Sequence, residues 1–151
     1  MAGTIKLMHA KLHRVTVTEA KRNYVGSISI DANLLDAVHL LPLEEVEIVN
    51  VDNGHRWRTY VLPAPAGQGG ICPNGGGALL CKPGDTLIIW ANIEKDIQDV
   101  MRDGHTAHIA LVDDRNAVTK HFRQQLRPTP DGLEFDSELP VGRTYGDLTI
   151  A

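Results

Sequence analysis

Arg56, Arg58 and Tyr60 alternate along "RWRTY", so an extended backbone puts all three on one face and Trp57 with Thr59 on the other. Arginine beside tyrosine suits carboxylate binding and proton donation. "HAKLHR" brings His9, Lys11 and His13 onto one strand face, a basic surface for a carboxylate or phosphate. "NGGG", Asn74 to Gly77, offers backbone N–H groups that a ligand can approach closely. A fourth feature is Gly26-Ser27 in "NYVGSISI", a glycine at the front of an otherwise regular strand pattern. Each has an ordinary structural reading: solvated strand faces, a glycine-rich connection and a bulge. His9 with His13, and His105 with His108, lack the third ligand that a metal site requires. No Gly-x-Ser-x-Gly, cysteine–histidine pair or phosphate-loop motif is present.

The elements that must position these groups are mostly strands. Val15 and Val17 alternate with threonines, Ile28 and Ile30 with serines, and Val46 and Ile48 with glutamates. Asn53-Gly54 between "EVEIV" and "RWRTYV" marks a hairpin in which both turn residues take positive φ. "DANLLDAV" predicts a short helix capped by Asp31, and Thr86–Ala91 a buried strand. "IEKDIQDVMRD" predicts a helix with Ile93, Ile97, Val100 and Met101 on one face, and "HIALV" a last strand. From about Asn116 the chain turns polar and reads as a loosely ordered tail. Short strands joined by turn residues predict a small barrel.

With 151 residues the chain is long enough for one domain with a real core. A net charge of -4 with acids and bases intermixed argues against a nucleic-acid or anionic-membrane partner. Apolar runs stay below the roughly 18 residues of a membrane span, and no signal-peptide pattern opens the chain. Two cysteines, Cys72 and Cys81, form no disulfide framework, so a reduced, cytoplasmic setting is expected.

Taken in order, "KLHRVTVTEA", "YVGS", "DANLLDAV", "VNVDNGHRWRTY", "NGGGA" and "KPGD" resemble the pyruvoyl-dependent aspartate 1-decarboxylase family across roughly Met8 to Trp90. The resemblance implies a mainly β fold: a six-stranded double-psi β-barrel with short helices, usually a homotetramer with active sites between subunits. It sets a barrel domain at 1–115 and a divergent C-terminal extension at 116–151. It also implies self-cleavage between Gly26 and Ser27 into chains 1–26 and 27–151, with Ser27 becoming a pyruvoyl cofactor and no metal involved. That ketone forms a Schiff base with an amino diacid and acts as an electron sink. By position, Thr59 assists self-processing, Tyr60 donates a proton, and Lys11, His13 and Arg56 line the substrate pocket. Asn74, Gly75, Gly76 and Gly77 match the loop that bonds the pyruvoyl and substrate.

Two departures bear on specificity. The family commonly has "NGAAA" where this chain has "NGGGA", and often a tryptophan where this chain has Val49. Both remove bulk, which enlarges the pocket toward 3-methylaspartate or glutamate unless Trp57 compensates. The leading expectation is L-aspartate giving β-alanine for pantothenate and coenzyme A. The alternatives are the same chemistry on a related diacid, or an uncleaved barrel serving as a binding module.

Overall fold

The structure, a computed structural model, describes residues 3–139. Its strands are β1 (Thr4–Thr16), β2 (Ser27–Asp31), β3 (Glu45–Asn50), β4 (Arg56–Ala64), β5 (Ile71–Asn74), β6 (Thr86–Asp96), β7 (His105–Val112), β8 (Val118–Thr129) and β9 (Gly132–Ser137). Two short helices, α1 (Ala32–Val38) and α2 (Ile97–Asp103), punctuate them. The alternation read from sequence becomes an inside and an outside. Leu12, Ile28, Ile30, Val46, Ile48, Leu87 and Ile89 are fully enclosed, while most of their strand neighbours are partly or fully exposed; Ser27 and Asp31 on β2 are the buried exceptions.

The strand order is β5-β2-β4-β3-β6-β1-β7-β8-β9. Residues just beyond β1 carry that strand onward to β5: the Thr18 amide donates to the Ile71 carbonyl at 2.9 Å and the Lys21 amide to Pro73 at 3.0 Å. A parallel bridge joins Lys21 to Asn74. These bonds return the row to its start and close β1–β6 into a six-stranded barrel, which removes its open edges. β2 runs parallel to β4, whereas β3 pairs antiparallel with β4 and β6.

Local chemistry sets the bends. Arg14 takes a φ of 64° where the β1–β6 register slips between Leu12 and Val15, a bulge that bends β1 toward β5. In the β3–β4 hairpin only Gly54 takes a positive φ, not both turn residues. The Asn50 amide reaches the His55 carbonyl at 2.8 Å instead, closing a wider loop. Asp31 caps α1 by accepting from the Asn33 amide, as expected, and its carboxylate also accepts from the amides of Gly67 and Gly69.

Two stretches differ from the sequence reading. Residues 93–96 continue β6, because Thr4–Leu7 offer a strand edge to pair with; the helix starts only at Ile97, capped by Asp96. Val100 is buried there, but Ile93 and Met101 are exposed. Beyond Asn116, β8 pairs with β7 and β9 with β8, so 118–137 is an ordered hairpin where a loose tail was expected. Residues 140–151 of the expected extension lie outside the described residues.

Asn116 fastens this hairpin to the barrel. Its Oδ1 accepts from the Thr16 amide at 2.8 Å, and its Nδ2 donates to the carbonyls of Thr16 and Gly69, each at 2.8 Å. Its φ of 61° is one that asparagine tolerates better than most side chains. Gly69 must stay small, since a Cβ there would overlap the Arg115 carbonyl oxygen. Asn116→Ala leaves three backbone groups, one buried and two partly buried, without this partner and is expected to lower unfolding free energy by about 1–3 kcal/mol in urea titration. Asn116→Asp keeps the acceptor alone and should fall between the two.

Candidate functional site

Ser27 opens β2 directly opposite Asn74 of β5, and both are buried. The Asn74 Nδ2 donates to Ser27 Oγ at 2.9 Å and to Ser29 Oγ at 3.0 Å. The Ser27 hydroxyl donates to the Val25 carbonyl at 3.1 Å. Gly75, with φ of 67°, presses on the glycine–serine bond: a Cβ at Gly75 would lie 2.8 Å from Gly26 Cα. Its amide donates to the Lys21 carbonyl at 2.9 Å, anchoring the loop that leads into Gly26. Gly26 itself has neither a positive φ nor a crowded Cβ position, so backbone strain does not account for it. The close approach is made from the Gly75 side.

The parallel register of β2 and β4 pairs Ile28 with Val61. One step earlier, Gly26-Ser27 runs alongside Thr59-Tyr60. Ile28 and Val61 point into the core, which turns Tyr60 to the same face as Ser27 and Asn74. Tyr60 and Thr59, with Leu43, Glu45 and Arg58, line a cleft of about 460 Å³.

Lys11, His13 and Arg56 gather elsewhere. Lys11 pairs with Trp90, and the Arg56 guanidinium carbon lies 5.4 Å from the Trp90 ring centroid, within cation–π range. Trp90 thus sits between two cations, a role the sequence signalled only as a tryptophan in an otherwise aliphatic strand. Burial lowers the pKa of the Lys11 ammonium. Burial, with the Lys11 and Arg14 charges alongside, pushes the His13 imidazole down to about 4. On one side of the barrel β6, β3 and β4 lie between β1 and β2; on the other, Lys11 stands well before Lys21, the residue that bridges to Asn74, and Arg56 stands about 13 Å along β4 from Tyr60. Among the described residues no hydrogen bond or ion pair joins Lys11, His13, Arg56 or Tyr60 to Ser27. The two groups of residues thus occupy separate parts of the chain.

The histidines expected to be weak metal candidates are engaged otherwise. His9 pairs with Glu44 at 2.8 Å, His105 Nε2 with the Met8 carbonyl at 2.8 Å, and His108 stacks on His39. The described residues contain no group of three or more potential metal ligands.

Gly75–Leu79 form one 3-10 turn over the barrel end. A Cβ at Gly76 would meet open space, whereas one at Gly77 would lie 2.7 Å from Trp57 Nε1. Trp57 thus occupies the room that Gly77 leaves, and the loss of bulk at 77 is compensated. The indole Nε1 there is buried without a hydrogen-bond partner.

Fold and site define a small six-stranded β-barrel in which a buried serine, following an exposed glycine, is held by an asparagine amide beside a glycine turn. Residues 3–119 match the family model described as aspartate decarboxylase. The chain is 58% identical over 141 residues to the aspartate 1-decarboxylase of Crocosphaera subtropica, covering 92% of this chain and 93% of that one. It is 57% identical over 138 residues to that of Gloeothece citriformis (90% and 88%) and 47% identical over 112 residues to that of Bacillus subtilis (74% and 87%). The chain belongs to the aspartate decarboxylase family, whose fold is the double-psi β-barrel. A match covering 92% of the chain runs well past residue 119. The alignment with the Crocosphaera relative therefore takes in residues of the C-terminal hairpin segment.

Two outcomes follow from the geometry. The unfolded imidazole titrates near 6.5 and the folded one near 4, so protonation of His13 favours the unfolded chain. Its contribution is complete above about pH 6.5 and is lost as pH falls toward 4; His13→Gln should flatten that part of a thermal-midpoint profile. Gly77→Ala should destabilise by about 1–3 kcal/mol through overpacking against Trp57. Gly76→Ala should be nearly neutral, and Trp57→Phe should relieve the Gly77→Ala penalty in calorimetry.

Proposed function

We propose that this chain is a self-processing aspartate 1-decarboxylase that converts L-aspartate to β-alanine and carbon dioxide, serving pantothenate and coenzyme A synthesis. The observation that carries the reading is the buried Ser27 Oγ, held by Asn74 beside a Gly26 that Gly75 presses upon. The relatives named aspartate 1-decarboxylase, matched over nine-tenths of the chain, support it.

In maturation, Ser27 Oγ bonds to the Gly26 carbonyl carbon. The Gly26–Ser27 C–N bond then breaks, and the released nitrogen takes the hydroxyl proton. Loss of the Cα proton and cleavage of Cβ–Oγ free the Gly26 carboxylate. Tautomerisation and one water then release ammonia and leave a pyruvoyl group at the new N-terminus of residues 27–151. Thr59, alongside Gly26, assists at the scissile carbonyl. The surroundings fit such a group: open space beside Gly26, the Asn74 amide, and the backbone of Gly75, Gly76 and Gly77.

Once formed, the pyruvoyl group supplies an electron sink for the carbon bearing the α-carboxylate. Lys11 and Arg56 hold substrate carboxylates as cationic partners, and His13 lines the pocket as a neutral imidazole. Tyr60 delivers the proton to the carbon that has lost carbon dioxide, a contribution typically of about 10²–10⁴-fold. Asn74 and the glycine turn orient the reacting end. Because, among the described residues, no hydrogen bond or ion pair joins Lys11 or Arg56 to Ser27 within one chain, a neighbouring subunit brings its own pair to complete the site, in a cytoplasmic homotetramer.

Intact-mass analysis should find two fragments parting after Gly26, and Ser27→Ala should abolish both cleavage and carbon dioxide release. Tyr60→Phe should spare cleavage and reduce turnover by at least about 100-fold. A chain that stays whole sinks the enzyme reading in favour of a binding module. Open space at Gly76 makes 3-methylaspartate and L-glutamate the informative competitors. Inert L-aspartate beside either of them active would move the assignment to that diacid.

A further inference from the structure

Asn74 is held by two more side chains than the reaction requires. β2 and β5 set Ser27 opposite Asn74 and Ser29 opposite Cys72, so the four side chains share one face as two adjacent cross-strand pairs. One Asn74 N–H meets Ser27 Oγ and the other Ser29 Oγ. The Cys72 thiol, also buried, lies 3.4 Å from Asn74 Oδ1 and 3.8 Å from the Pro73 carbonyl.

An asparagine amide turned by 180° exchanges its oxygen for its nitrogen. Two hydroxyls alone do not choose between those poses, because each both donates and accepts. The thiol does choose. It donates weakly and is a poor acceptor, so the oxygen of Asn74 belongs on the sulfur side and its N–H groups on the serine side. Burial raises the thiol pKa, which keeps the proton that makes this contact. Ser27 spends its own hydrogen on the Val25 carbonyl, leaving its lone pair to accept from Asn74.

We propose that Ser29 and Cys72 are positioning residues for chain cleavage: they fix the Asn74 amide so that its N–H bears on the Ser27 oxygen that attacks Gly26. The inference rests on the reading of Ser27 as the cleavage nucleophile. As Oγ gives up its proton and bonds to the Gly26 carbonyl carbon, an N–H already in place steadies the developing charge on oxygen. Released from Oγ once maturation is complete, the same N–H stays oriented by Ser29 and Cys72 for the finished site.

The test is the cleavage time course of the freshly purified full chain by intact mass, in Cys72→Val, Cys72→Ser and Ser29→Ala. Thermal midpoints of the same substitutions are taken in a Ser27→Ala background, where no cleavage intervenes. Removing one such hydrogen bond corresponds to a slowing of roughly 3–10-fold. Cys72→Val and Ser29→Ala should each slow cleavage by that factor without a matching fall in midpoint. Cys72→Ser, which keeps a donor, should stay within about threefold of the parent. Parent-like cleavage in Cys72→Val, or slowing in Cys72→Ser equal to that in Cys72→Val, overturns the proposal. Should Cys72→Val not fold, Ser29→Ala decides alone: slower cleavage supports the positioning role and an unchanged rate ends it. A parent chain that never cleaves removes the Ser27 reading and this inference with it. Cleavage in the parent with no variant effect removes only the inference.

Discussion

Hydrogen bonding between β5 and the residues just after β1 is the constraint on which the remaining structure depends. Thr18 grips Ile71 with its backbone amide and also through its hydroxyl, which both donates to the Ile71 carbonyl and accepts from the Ile71 amide. Lys21 continues the contact to Pro73, and Gly75 returns it to the Lys21 carbonyl. Closure of the barrel and delivery of the Gly26-Ser27 bond to Asn74 are thus one event. Any sequence that closed the barrel by another register would move Asn74 away from Ser27, because side chains change face with every residue.

The site is organised by burial as much as by charge. Lys11 and His13 both have their charged forms disfavoured by desolvation, with the histidine further opposed by its cationic neighbours. A neutral imidazole next to a lysine and a nearby Arg56–Trp90 stack makes a cationic surface without excessive self-repulsion. That surface lies on a different part of the barrel from Ser27.

Glycine serves different ends at neighbouring positions in the 3-10 turn. Gly75 is required by its φ and by contact with Gly26; Gly77 yields space to the Trp57 indole; Gly76 meets neither demand. A run that reads as uniform flexibility in sequence is therefore three separate environments. The hairpin β8–β9, tied through Asn116 to the end of β1 and to Gly69, extends the same sheet and braces the loop that leads into β5.

Alternation in "SISI", "EVEIV" and "RWRTY", the Asp31 cap and the shared face of Lys11 with His13 were legible in sequence because each depends on period or local bonding. The family was legible as well, since the order of Lys11, Gly26-Ser27, Arg56, Thr59, Tyr60 and Asn74 is carried in one dimension. The role of Asn116, the strand at 93–96 and the hairpin beyond residue 117 were not, because their partners lie on distant segments: Thr16 and Gly69, Thr4–Leu7, and β7. The meeting of Ser29 and Cys72 on one amide likewise depends on strand register and barrel closure. Sequence determined which residues are fit for the chemistry. Tertiary structure decided which of them meet, since contact is set by cross-strand pairing between segments tens of residues apart.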